Sequence, residues 1–265
     1  MLYFPQLESG ALGQFPGRKR LLERTVVNEL GDGRRVKIGD PAESRVEWTL
    51  IYEDLTDSEM AAIAALYQAC EGRLRTFTFL DPTDNLLGWS EELNADVWRK
   101  DPLLALQSGM VDAMGTNRAT RITNTAQAAQ RIDQSFTGPE GHQYCLSFHA
   151  RSDYTGELIT YRTDTSLDGR RVHTVGPSWK RIVTSTRLTS LNETATFGLQ
   201  LPAGRSVDVF GLQVEAQAGA SQYKATTARG GVYEQARFMD DSLAVVAQDV
   251  NRHSCRVRVV ARREN

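Results

Sequence analysis

Between Asn85 and about Arg229 the chain shows no helical period, only short runs of alternating apolar and polar residues closed by turn residues. The runs are "YCLSFHARS", "ELITYRTD", "RRVHTV", "WKRIVTSTRL", "TATFGLQLPA" and "SVDVFGLQVEA". Alternation with a period of two sends successive side chains to opposite faces, so each run has one face to bury. Strands this short bury that face by packing two sheets together, which points to a β-sandwich or jelly roll. The polar stretch from Thr116 to Gln134, with Ile122 and Ile132 as apolar points, reads as a further strand.

The flanks follow another plan. In "RVEWTLIYED" Val46, Trp48, Leu50 and Tyr52 alternate with polar residues as in a half-buried strand. Before it, "ERTVVNEL", a turn at Asp32-Gly33 and "RRVKI" read as a hairpin, because Asp-Gly supplies the positive-φ positions of tight turns. "LTDSEMAAIAALYQACEGR" changes period. Thr56 and Glu59 form a capping box, Met60, Ile63, Leu66, Tyr67 and Cys70 share one helical face, and Gly72 stands where a left-handed cap is expected. "RLRTFTFL" returns to strand alternation. After Gly230-Gly231 come "VYEQARF", "SLAVVAQDV" and "SCRVRVVAR". Two or three strands cannot bury a core alone, so this tail must pair with something earlier in the chain; the amino-terminal segment is also short of a closed sheet, and the two together make a small domain of about 120 residues.

These patterns predict a mainly β chain: a discontinuous β-sandwich or barrel host domain with one α-helix, formed by residues 1–84 and 230–265, and an inserted jelly-roll sandwich over 85–229. Asp81-Pro82-Thr83-Asp84 is chemically a turn into which such a module can be spliced without separating the host's strands.

A net charge of -2 gives no global electrostatic reason to expect nucleic acid or membrane as partner. No apolar run is long enough to cross a bilayer, and "MLYFPQLESG" lacks the basic start of a secretion signal, so synthesis in the cytoplasm is expected. Cys70, Cys145 and Cys255 are too scattered for a metal site and are expected as reduced, buried small hydrophobes. The sequence holds no H-E-x-x-H, G-x-S-x-G or P-loop motif, and His142, His149, His173 and His253 have no ligand spacing. The carboxylate pairs Asp153/Glu157 and Asp164/Asp168 flank turns in charged stretches, where solvent exposure is the ordinary explanation, so the chain is not expected to be an enzyme.

The stretches "YFPQLESGALGQFPGRK", "VEWTLIYEDLTDSE", "TFTFLDPTDNLL" and "RFMDDSLAVVAQDVNRHSCRVRVV" resemble phage and prophage minor tail proteins of the distal-tail type. "NLLGWSEELNADVW", "YCLSFHARS", "SWKRIVTSTRL" and "VFGLQVEAQAGASQY" resemble the carbohydrate-binding-module-like jelly rolls that tail proteins carry. Tyr223-Lys224-Ala225-Thr226 lacks the proline of the usual Tyr-x-Pro-Thr exit, which suits a module that returns the chain to its host. The resemblance implies a virion structural protein of the tail, assembled in the host cytoplasm. Its host domain would form a homo-oligomeric ring, a hexamer, joining the tail tube to baseplate hub or tip proteins, with an outward jelly roll engaging host surface polysaccharide. The alternative is a lectin-like host-adsorption protein without catalysis.

Sugar-binding sandwiches set an aromatic face against a pyranose and bond its hydroxyls with a few placed polar groups. A glycan strip is expected from Tyr161, Arg151, His149 and Gln213, with Tyr154 in the polar turn "RSDYTGE"; the competing reading is a solvated sheet face. By the resemblance, Trp98 and Trp179 are sandwich-core anchors. Asp208 likewise stands where related modules place a calcium-ligating carboxylate, although calcium needs six to eight oxygens and one Asp hardly supplies them. No other cofactor is implied. The basic clusters "GRKR" and Arg252, Arg256, Arg258, Arg262 and Arg263 read as ion pairing between subunits or solvated charge rather than as specific nucleic-acid contacts.

Overall fold

The computed structural model describes residues 1–162, 169–188 and 194–263. The chain divides into two compact units, one of Met1–Phe79 with Tyr233–Asn265 and one of Leu80–Val232.

The first unit is built on a six-stranded sheet and one helix. Its strands are β1 (Arg18–Glu29), β2 (Arg35–Leu55), β3 (Phe77–Leu80), β14 (Val232–Phe238), β15 (Val245–Asp249) and β16 (Arg252–Arg262). The order is β1-β2-β16-β14-β3, with β15 also on β16. The carboxy-terminal strand therefore lies directly against β2, with Cys255, Val257 and Val259 opposite Tyr52, Leu50 and Trp48. Those six residues are buried. Phe79 and Tyr233 meet the Trp48 ring at 4.8 and 4.7 Å, and Phe77 packs on Phe238 at 4.8 Å. Aromatic pairs at these distances add about 0.5–1.5 kcal/mol beyond the area they bury.

Helix α1 (Asp57–Ala69) packs on β2 and β16 through Met60, Ile63 and Leu66. Its capping box is formed: Thr56 Oγ1 accepts from the Glu59 amide at 3.2 Å, and Glu59 Oε2 accepts from the Thr56 amide at 2.9 Å. The left-handed region starts one residue earlier than the expected Gly72, because Glu71 already has φ 52 and Gly72 follows at φ 66. The hairpin also differs from its sequence reading. "RRVKI" and "RVEWTLIYED" are one continuous strand of 21 residues, broken in register where Glu23 of β1 faces the four residues Pro41 to Ser44.

The second unit is a jelly-roll β-sandwich. One sheet has the order β10-β9-β12-β7-β4 and the other β11-β8-β13-β6-β5. The strands are β4 (Arg99–Lys100), β5 (Leu104–Met110), β6 (Ala119–Asn124), β7 (Gln130–Thr137), β8 (Gln143–Arg151), β9 (Gly156–Arg162), β10 (Arg170–Val175), β11 (Lys180–Arg187), β12 (Thr194–Leu201) and β13 (Ser206–Glu215). The stretch from Thr116 to Gln134, expected as one strand, contains β6 and the start of β7, which belong to different sheets. Between the sheets lie Ile122, Ile132, Tyr144, Leu146, Phe148, Phe197, Leu199 and Val209, all buried. Trp98 is buried too, and its indole donates to the Trp89 carbonyl at 3.0 Å.

Where the chain enters and leaves this unit, the two passages are fastened together. The Asp81 amide donates to the Gly231 carbonyl and the Gly231 amide to the Asn85 carbonyl, both at 2.7 Å. Buried Asn85 accepts from the Leu87 and Val214 amides at 3.0 Å and donates to the Leu212 carbonyl at 2.9 Å. A Cβ on Gly230 would stand 1.9 Å from the Leu86 carbonyl oxygen, so the backbones approach as only glycine permits.

The three cysteines are free and buried, and burial pushes the thiols of Cys145 and Cys255 up to about 11. Among the described residues no helix is long and apolar enough to cross a membrane. Three carboxy-terminal arginines pair within the chain: Arg252 with Asp54, Arg258 with Asp240, and Arg263 with Glu23.

Candidate functional site: the outer face of one sheet

Cross-strand register decides which side chains of the sandwich point away from its core. On the β10-β9-β12-β7-β4 sheet, Leu199 lies opposite Ile132 and Thr160, facing inward. The alternate set is therefore outward: Gly198 lies opposite both Asp133 and Tyr161, and Gln200 opposite both Arg131 and Ile159. Arg99 of β4 faces Asp133, and Arg170 and Val172 of β10 face Tyr161 and Ile159.

These residues form a polar cluster over Gly198. Asp133 is 2% exposed, yet it carries a carboxylate. Its Oδ2 accepts from Arg99 Nη2 at 2.8 Å, from Arg99 Nε at 3.2 Å and from the Tyr161 hydroxyl. Its Oδ1 is buried and has no hydrogen-bond partner. Arg131 lies 5.2 Å from the Tyr161 ring centroid and donates through Nε to Gln200 Oε1 at 3.3 Å. Burial, then the bond to Asp133, drives the Tyr161 phenol far above its ordinary range, so it stays a proton donor at any working pH. The Arg99 guanidinium is pushed up by its bond to Asp133, while its side chain remains 74% exposed.

Glycine at position 198 makes this geometry possible. A Cβ there would lie 2.4 Å from the Ile132 carbonyl oxygen and 2.5 Å from Asp133 Cβ. Without it, Tyr161 and Asp133 meet across the β12 backbone. The result is an outer face on which the guanidinium groups of Arg99 and Arg131 are donors above the buried Asp133 carboxylate, with Ile159 and exposed Val172 as an apolar flank. Such a set suits a ligand bearing many hydroxyls and one apolar side.

The expected strip does not assemble as one surface. Tyr161 belongs to this sheet, whereas Arg151 and His149 on β8 and Gln213 on β13 belong to the other. Tyr161 is only 8% exposed beneath Arg131, so it positions Asp133 rather than offering a stacking face. Gln213 is fully buried, its amide donating to Glu215 at 2.8 Å and accepting from the Lys224 amide at 2.7 Å; it holds the exit segment in place. Tyr154 sits at the β8–β9 turn with Arg205 4.3 Å from its ring centroid, and Gly156 leaves room for its edge.

Asp208 lies on the outer face of the second sheet and is 1% exposed. Arg121 binds it at 2.6 and 3.1 Å, and Arg151 at 3.0 Å. Two guanidinium charges already neutralise it, so a calcium ion there would face two cations rather than a ring of oxygens. Among the described residues no three His, Cys, Asp or Glu side chains come together as a metal-binding group. Trp179, expected in the core, is instead half-buried on the surface with Arg151 4.9 Å from its ring centroid. His149 lies 6.0 Å from the Phe210 ring, and burial followed by the nearby Arg181 charge lowers its pKa. Asp153 pairs with Arg121 at 3.4 Å, and Glu157 lies outward on β9. The second carboxylate pair, Asp164 and Asp168, lies outside the described residues.

Asp133, Arg99, Arg131 and Gln200 were not singled out by sequence. The signal was present in "QRIDQSF", where Arg131, Asp133 and Ser135 alternate with Ile132, Gln134 and Phe136. What it lacked was the partner set, drawn from positions between 99 and 200.

No family model and no curated protein matches the chain. Among solved structures, the chain is similar to a family 22 carbohydrate binding module of Clostridium thermocellum Xyn10B, at 13% identity and TM-score 0.43, over 54% of this chain and 99% of that one. It is similar to the CBM22-1 xylan-binding domain of Paenibacillus barcinonensis Xyn10C, at 12% identity and TM-score 0.41, over 52% of this chain and 97% of that one. It is also similar to the enzymatically active domain of Bacteriophage CBA120 tailspike protein 4, at 12% identity and TM-score 0.38, over 52% of this chain but only 22% of that one.

Proposed function

We propose that this chain is a non-catalytic structural protein of a phage tail whose sandwich unit holds a host surface glycan. The observation that carries the glycan reading is the outer-face cluster centred on Asp133. One carboxylate oxygen is saturated by Arg99 and Tyr161 and the other is buried without a partner, beside exposed donors and an apolar flank. Sugar ring and hydroxyl oxygens would accept from Arg99, which Asp133 holds in place, and from Arg131. The apolar face of the pyranose would rest on Ile159 and Val172. Each such bond contributes about 0.5–1.5 kcal/mol net, so several are needed and affinity per sugar is modest.

The tail assignment draws on the resemblance of "VEWTLIYEDLTDSE" and the closing strands to distal-tail-type proteins. In that reading the first unit forms the ring, a hexamer, that joins the tube to the baseplate or tip. In this reading the described carboxylates are held by arginines rather than set for hydrolysis: Asp133 is engaged by Arg99, and Asp153 by Arg121. The decisive experiment measures binding of the full chain to host surface polysaccharides on a glycan array and by calorimetry. Arg99→Ala, at an exposed position, should weaken binding about tenfold, the equivalent of about 1.4 kcal/mol. Binding that is unaltered in Arg99→Ala and Gln200→Ala would remove this face from the reading.

A further inference from the structure

The outer face of the β10-β9-β12-β7-β4 sheet carries a cation at each end of one row. Register sets Arg99, Asp133, Gly198, Tyr161 and Arg170 opposite one another in that order, one from each of the five strands. Four strand spacings separate the end residues, roughly 19 Å at about 4.8 Å each. Gly198 puts no side chain at the middle of the row. A third guanidinium, that of Arg131, lies over the Tyr161 ring.

The carboxylates of this face do not match those charges. Asp133 is spent on Arg99 and Tyr161. Asp101 Oδ2 accepts from the Arg131 backbone amide at 2.8 Å. Glu157 lies four residues before Tyr161 on β9, roughly 13 Å away along the strand. Among the described residues Arg131 and Arg170 pair with no carboxylate; the Arg131 side chain donates to Gln200 alone. The other sheet behaves differently. There Arg121 and Arg151 hold Asp208, Arg118 reaches Glu91 and Asp112, Lys224 binds Glu215, and Arg181 donates to Ser147 and the Ser221 carbonyl. One sheet closes its charges on itself, and the other leaves two guanidinium groups open.

Hydrogen-bonding capacity on the open face is equally one-sided. Asp133 Oδ1 is buried, Gln200 Oε1 already accepts from Arg131 at 3.3 Å, and the Ser135 and Thr196 hydroxyls bond each other at 2.8 Å. A sugar hydroxyl both donates and accepts, so a face rich in donors and poor in acceptors meets half of its needs. An oxyanion only accepts. The planar fork of a guanidinium meets a carboxylate or phosphate with two parallel bonds, each stronger than a bond between neutral groups.

We propose that this face selects anionic polysaccharide, with oxyanions carried by the sugar chain held by Arg131 and Arg170. The inference rests on the glycan reading of the face and names the class of glycan it takes. Acidic sugars and phosphodiester-linked chains share this chemistry, and the probes separate them. Calorimetry on the full chain compares polygalacturonate and polysialate, the carboxyl-reduced form of each, glycerol-phosphate teichoic acid, and neutral dextran and xylan, with circular dichroism as the fold control. An anionic polymer should bind roughly tenfold more tightly than any neutral one, and added salt should weaken that binding. Arg131→Gln and Arg170→Gln should each weaken it about tenfold, whereas Arg187→Gln, the same loss of charge on β11 of the other sheet, should keep wild-type affinity. Binding lost on carboxyl reduction identifies an acidic sugar, and binding of teichoic acid alone identifies a phosphodiester; either supports the inference. Neutral polymers bound as tightly as anionic ones, or binding unaltered in both Arg131→Gln and Arg170→Gln, overturns it and leaves the glycan reading standing. Equal weakening in Arg187→Gln shows diffuse attraction and overturns the assignment to this face. Wild type that binds none of the polymers overturns both readings.

Discussion

The two units solve the burial problem in opposite ways. The first has a core of aromatic and aliphatic side chains, Trp48, Tyr52, Phe77, Phe79, Val257 and Val259, and buries few polar groups; yet among the described residues it carries twelve of the eighteen large exposed hydrophobics, seven of them on the β1–β2 arm, on β15 and at Phe15. The second exposes few large hydrophobics and buries many polar or charged residues, among them Asn85, Asn124, Asp133, Asp208, Gln213 and Glu215. Asn85, Asp208, Gln213 and Glu215 each have named partners that satisfy them. An unpaired buried charge costs several kcal/mol, so a unit built this way must be complete in itself.

The sharpest way to break the comparison is to hollow out the aromatic core. Trp48→Ala should destabilise the first unit by about 3–5 kcal/mol. Calorimetry should then show one transition moved down and a second, from the sandwich, left in place; a single transition that moves as a whole would mean the units are not independent. Next comes Asp208→Ala, which strands Arg121 and Arg151 and should cost the sandwich about 3 kcal/mol. A loss below about 1 kcal/mol would show that the pair is worth no more than a surface bridge, and that the polar interior is incidental.

A smaller effect is expected at Thr56→Ala, which removes the helix cap. Denaturant unfolding should report about 1 kcal/mol lost from the first unit alone.

The smallest effect concerns pH and separates the units by the pH window in which stability is lost, not by its sign. Burial lowers the folded pKa of His149 and of His173, with Arg181 and Lys180 the respective nearby charges. The unfolded state therefore binds protons first as pH falls. The stability tied to neutral histidine is complete above the ordinary value of about 6.5 and is lost as pH drops below it. Melting of the sandwich should shift downward between pH 7 and 5, and His149→Phe should reduce that slope. The Arg258 bond lowers the Asp240 carboxyl in the first unit, so there stability is lost only at still more acid pH, as Asp240 takes up its proton.

Much of the fold was legible in local pattern. The alternation of Val46, Trp48, Leu50 and Tyr52, the Thr56–Glu59 capping box and the short runs of the sandwich each depend on neighbours within a few residues. The candidate site was legible only in part. Tyr161 was recognised as an outward-face residue, but its partners Asp133, Arg99 and Gln200 come from three other strands, and Arg151, His149 and Gln213 proved to lie on the opposite sheet. Period-two alternation tells which residues of one strand share a face, never which strand lies beside it. Trp179 misled for a related reason: an aromatic before a strand is apolar enough for a core, and only packing showed it stacked with Arg151 at the surface.

By itself, then, the sequence determined the element types, helix α1 and the pairing of the chain's two ends, because hydrophobic periodicity and capping act over a few residues and an unpaired sheet edge demands a partner. Tertiary structure alone decided that Asp208 meets two arginines, that Gly198 lets Tyr161 reach Asp133, and that the hairpin runs on as a bare arm. Those outcomes depend on strand order, register and close backbone approach, which join residues far apart in the chain and leave no local signature.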